Sequence, residues 1–171
     1  MNAKKIVIGG MLTGLAIMIP IVFGGTPLMV VIPPGFTATI ASHLPSLLAM
    51  AISPGVAIMV GIGSALGFTL RINAMIGARA LTHSIFGGIG AHCYRKGFPF
   101  WLVLLITAPI HAILEGLVLL PFGVEFHQAM IVTTVGTALH HLIDSGLTLT
   151  VYHSLTRLSI LKKPSLSSYK H

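Results

Sequence analysis

Three polar pairs interrupt an otherwise apolar sequence: Arg79 and His83 in "RALTH", His111 and Glu115 in "HAILE", and His140 and Asp144 in "HHLID". Each pair is spaced i, i+4, so on a helix both of its side chains lie on one face. One guanidinium, two carboxylates and three imidazoles offer two kinds of chemistry. They can hold an organic ligand by ion pairs and hydrogen bonds, with imidazoles donating or accepting near neutral pH. They also include the His and carboxylate ligands that zinc accepts. No H-E-x-x-H occurs, and such pairs suit hydrogen bonding to an organic ligand, so that reading is preferred and no metal is expected.

Each residue also has a purely structural reading. Arg79 paired with Glu115 or Asp144 would simply hold helices together, and the histidines would be satisfied by backbone carbonyls. His141 is turned about 100° from His140 and is expected to pack between helices. Phe36, Phe68 and Phe86 are expected in the core, and His92 and Cys93 in structural positions. Other chemistry is thin. Without G-x-x-x-x-G-K-[ST] the chain is not its own P-loop ATPase. There is no G-x-S-x-G elbow, and Ser42–His43 is a neighbour pair, not a triad. A transition-metal carrier, an intramembrane hydrolase and a purely structural membrane subunit stand as alternatives.

The elements that must position these residues follow from composition. The chain has 171 residues, 54% hydrophobic and only 8% charged, against roughly a quarter charged in soluble domains. This composition is that of an integral membrane protein. The formal net charge of +7 does not indicate nucleic acid, because the basic residues stand at the ends of apolar segments and not in a patch with interleaved aromatics. The single Cys93 excludes an intramolecular disulfide. "MNAKKIVIGGMLTGLAIMIPIVF" has basic residues before an apolar run but no convincing cleavage site, and reads as a retained first helix.

A span needs about 20 mostly apolar residues. Six stretches qualify, at roughly 5–23, 36–52, 54–70, 72–94, 100–121 and 128–158. The expected fold is therefore all-α, one membrane domain over 1–171 with six transmembrane helices and a polar tail over 162–171. "GGTPLMVVIPPG" at 24–35 is not helical, and reads equally as a lid over the bundle mouth or as an ordinary loop. With both termini cytoplasmic, the inner side receives Lys4, Lys5, Arg95, Lys96, Arg157, Lys162, Lys163 and Lys170, and the outer side Arg71, as the positive-inside rule requires. Glu125 falls in an outer loop.

Charges in hydrocarbon are expensive and turn toward a bundle interior or cavity. At about 1.5 Å rise per residue, Arg79, Glu115 and His43 lie about 10 Å below the outer surface, and His140 about 15–18 Å. The spacing thus places His43, Arg79, His83, His111, Glu115, His140 and Asp144 around one pocket opening outward. Gly10 and Gly14 in "GMLTG" add a small-xxx-small stripe on the first helix, a pattern that lets helices approach closely in lipid.

These features together resemble the substrate-binding (S) components of energy-coupling factor vitamin transporters. The run "TATIASHLPSLLAMAISPGVAIMVGIGSALGF", then "RALTHSIFG", "HAILEG" and "HHLIDSG" is similar to one branch of that family, over roughly residues 4–157. The resemblance implies a high-affinity binder in a bacterial plasma membrane that does no chemistry and needs no cofactor. It implies a transmembrane coupling subunit and two cytoplasmic ATPases as partners, with the binder tipping in the membrane to carry its pocket inward. The family's coupling stripe is usually Ala-x-x-x-Ala; Gly10 and Gly14 replace both alanines here. Its mobile first loop corresponds to 24–35. One fixed cation, two acids and adjustable histidines suit a small ring of the pyridoxine, hydroxymethylpyrimidine or niacin type.

Overall fold

The computed structural model describes residues 3–161. It contains six α-helices: α1 (Ala3–Phe23), α2 (Leu44–Met50), α3 (Pro54–Arg71), α4 (Ala74–Arg95), α5 (Phe100–Leu119) and α6 (Thr134–Arg157). Two short strands, β1 (Met29–Ile32) and β2 (Phe36–Thr39), pair antiparallel between α1 and α2. The expected polar tail, including Lys162, Lys163 and Lys170, lies outside the described residues.

Helix starts follow from local chemistry. Ser53 caps α3 by accepting the Val56 N–H at 3.4 Å, and Pro54 takes the first helical position, where its missing N–H costs nothing. Asn73 caps α4 the same way, accepting the Ile76 N–H at 2.9 Å. The helices then pack through small residues. A Cβ on Gly67 of α3 would stand 2.6 Å from the Ile17 carbonyl of α1, and one on Gly61 would meet the backbone of Ser84 in α4. Only glycine permits these approaches, the usual means of close helix contact in lipid.

The second expected span is corrected. Residues 36–52 do not form one helix: they are strand β2, a turn, and the seven-residue α2. At about 1.5 Å per residue α2 is roughly 10 Å long, a third of a hydrocarbon core of about 30 Å. Pro45 stands in the first turn of α2, where its missing N–H costs nothing. Upstream of it Ala41 turns with φ +60°, and the β1–β2 hairpin precedes that turn. The 24–35 segment is thus a folded arm. β1 is its exposed edge, while Phe36 and Thr39 at the ends of β2 are buried.

Three helical stretches are long and apolar enough to cross a membrane by length and composition: Ala3–Phe23, Pro54–Arg71 and Phe100–Phe122. The helices α4 and α6 have the length, with 22 and 24 residues; their polar inward faces lower their mean hydropathy. A π-helical stretch (Gln128–Thr133) leads into α6. Lys4 and Lys5 share one cavity with Ala51, Ile52 and Leu161, while Arg71 bonds the Gly24 carbonyl at 2.6 Å at the opposite end of α1.

Candidate binding chamber beneath the hairpin

The three i, i+4 pairs do face one another, and His43 joins them from the turn before α2. The buried Arg79 guanidinium pairs with Oε2 of the buried Glu115 carboxylate. It also donates to the Gly35 carbonyl at the tip of the hairpin and lies 5.7 Å from the centre of the Phe36 ring. The hairpin is thereby fastened to the floor it covers. Glu115 Oε2 accepts a second hydrogen bond, from Thr137 Oγ1 at 2.6 Å. Its Oε1 faces His111 Nε2 at 3.3 Å and His83 Nε2 at 3.8 Å.

The imidazoles stand edge to face. Ring centres are 5.0 Å apart for His43–His83, 4.6 Å for His43–His111 and 5.0 Å for His83–His111. Fixed acceptors set the tautomers at the back of the cluster. The Leu104 carbonyl can only accept, so His141 donates to it from Nε2 at 3.1 Å. A neutral His141 then accepts at Nδ1, and His111 must donate from its own Nδ1, 3.0 Å away. The His111 Nε2 lone pair is thus aimed at Glu115. His83 is held from behind by Ser64 Oγ at 3.0 Å.

Asp144 does different work. Its carboxylate accepts the backbone N–H groups of Ala41 at 3.1 Å and His43 at 3.0 Å. Its Oδ2 also lies 3.2 Å from His43 Nδ1 and 3.3 Å from His140 Nε2, while His140 Nε2 donates to the Thr39 carbonyl at 3.1 Å. Asp144 is a clamp that holds the left-handed turn at Ala41, and through it α2 and the hairpin.

A small void of about 20 Å³, room for about one water, lies under the hairpin, lined by His43, Arg79, His83, Glu115 and His140 together with Thr37, Ser42, Phe68, Ile76 and Ala80. Five of the seven residues expected at the pocket therefore line it. His111 and Asp144 stand behind the lining and position it. His141, Phe36 and Phe86 are buried as expected, with the Phe86 ring 4.2 Å from that of His111. Phe68, expected in the core, reaches the chamber wall. Ser64 and Thr137, which orient His83 and Glu115, escape a reading by spacing: each is one hydroxyl in a helix, with nothing nearby in sequence to mark it. His83 thus stands between Ser64, at 3.0 Å from its Nδ1, and Glu115, at 3.8 Å from its Nε2. Gly10 and Gly14 face outward, with nothing among the described residues within 4 Å of a Cβ at either; the stripe is not spent on a described helix of this chain.

No family model matches the chain, and no solved structure matches it. The chain is similar to the niacin transporter NiaX of Lactococcus lactis subsp. cremoris (strain MG1363). The two are 29% identical over 173 residues, covering 91% of this chain and 76% of NiaX. The likeness runs over nearly the whole sequence. Over most of its length the chain is thus similar to a transporter of a small water-soluble vitamin.

Proposed function

We propose that this protein is the membrane-embedded binding subunit for uptake of a small water-soluble vitamin or precursor of the pyridine or pyrimidine type, with niacin the foremost candidate. It would capture the ligand from outside the cell and do no chemistry on it. The observation that carries this reading is the buried Arg79. Its Nε is buried without a partner at the wall of a chamber otherwise furnished with imidazoles and a carboxylate. A monocarboxylate ring would take its charge-assisted hydrogen bonds there, and its ring nitrogen would meet the histidines. The void as it stands has room for about one water, so a ring would enter it only as the hairpin moves aside. The likeness to a niacin transporter points to the same ligand class.

The hairpin over the chamber would swing aside to admit the ligand. The outward stripe of Gly10 and Gly14 would meet a transmembrane coupling subunit, with two cytoplasmic ATPases supplying the energy. All six helices would cross or enter a bacterial plasma membrane, with both termini cytoplasmic. Mass spectrometry of the protein purified from cells grown with vitamins tests the reading. A co-purifying pyridine or pyrimidine vitamin supports it; none, from a protein that also binds none when supplied, overturns it.

A further inference from the structure

The geometry points to a second capacity of the cluster: we propose that His43, His83, His111 and Glu115 bind a single divalent transition-metal ion of zinc's size. Four ligands at about 2.0–2.1 Å in a tetrahedron stand about 3.3–3.4 Å apart. Here His111 Nε2 and Glu115 Oε1 are 3.3 Å apart, and His83 Nε2 is 3.8 Å from the same oxygen. One ligand atom from each of the four residues lies within 4.8 Å of all the others. An ion would draw the most distant of them together by up to about 1.5 Å.

Three further observations point to an ion in that position. First, His83 Nε2 and His111 Nε2 are buried with no hydrogen-bond partner, an expensive condition for a polar atom. Second, the Leu104–His141–His111 chain of hydrogen bonds aims the His111 lone pair at a carboxylate oxygen. Two acceptors facing each other need a positive centre between them. Third, the imidazoles are already held from behind, His83 by Ser64 and His111 by His141, as ligating histidines in metal sites are. Arg79 and Glu115 cancel in charge and Asp144 adds a negative one, so a cation enters a cluster that is net negative. Three nitrogens and one oxygen favour zinc, cobalt or nickel over magnesium or calcium. Nothing in this inference depends on the vitamin.

The test uses the full chain in detergent, purified without a histidine tag and stripped by a chelator. Co²⁺ alone is titrated in and followed by visible absorption, with Zn²⁺ as competitor. The site should take one equivalent, with the intense bands of four-coordinate cobalt that Zn²⁺ bleaches. His83→Gln and His111→Gln should each weaken Co²⁺ at least about tenfold, and Ser64→Ala by about tenfold, with the helical spectrum unchanged. Absence of the bands in the folded wild-type protein would overturn the site and leave a shared proton between His111 and Glu115. Equal Co²⁺ binding by wild type and both glutamine variants would overturn it too, by placing the ion elsewhere. Nicotinate titrated into the stripped protein reads the vitamin proposal separately, so either can fail without the other.

Discussion

His43, on the turn before α2, and Asp144, on α6, are joined twice: the His43 backbone N–H donates to the carboxylate at 3.0 Å, and the imidazole Nδ1 lies 3.2 Å from the same oxygen. With the Ala41 N–H on the other oxygen, one side chain fixes both the entry to α2 and a chamber wall. Asp144→Ala strands the buried His43 N–H, at about 1–3 kcal/mol, and the part-buried Ala41 N–H. We expect a lower melting temperature in detergent and faster hydrogen exchange at Ala41 and His43, with Asp144→Asn intermediate. Unchanged exchange at those amides would remove the clamp from the account.

The Arg79–Glu115 pair gives a second expectation. Removing one partner leaves a buried charge uncompensated, at about 3–5 kcal/mol. Arg79→Leu and Glu115→Leu should therefore each destabilise strongly. The double variant should recover much of that loss while remaining unable to bind nicotinate. Thermal unfolding and ligand titration on the three proteins separate stability from recognition.

The outward glycines make a third. Gly10→Leu with Gly14→Leu adds side chains where nothing among the described residues stands. Melting temperature and nicotinate affinity should stay at wild-type values. Co-purification with the coupling subunit, and uptake by cells, should fall sharply. Full uptake by this variant would place the coupling contact elsewhere.

Orientation can be read by labelling. In a Cys93→Ser background, Glu125→Cys should react with an impermeant maleimide on intact cells. Lys96→Cys should react only after the membrane is opened. The reverse pattern would invert the assignment of the two faces.

Much of the site was legible because helices repeat. Arg79/His83, His111/Glu115 and His140/Asp144 each declare a face through their spacing, and the cost of charge in hydrocarbon turns those faces inward. His43 was reached by depth alone. The apolar run at 36–52 misled because hydropathy does not distinguish a span from a strand followed by a half-helix. Pro45 fits a helix start there but does not announce it, since Pro20 and Pro109 lie inside α1 and α5. The different work of Asp144, and the help of Ser64 and Thr137, were not readable. They depend on contacts between residues as far as 103 apart in sequence, and no local pattern reports such contacts.

The central claim is that Arg79 and the imidazoles around it receive a small anionic ring. Calorimetric titration of nicotinate into the purified full-length protein, beside Arg79→Ala of matched helical content, tests it most directly. The account predicts a single saturable site in the wild type and a loss of at least a hundredfold in affinity in the variant. Equal affinity in the two proteins, or no binding by a folded wild type, would contradict it.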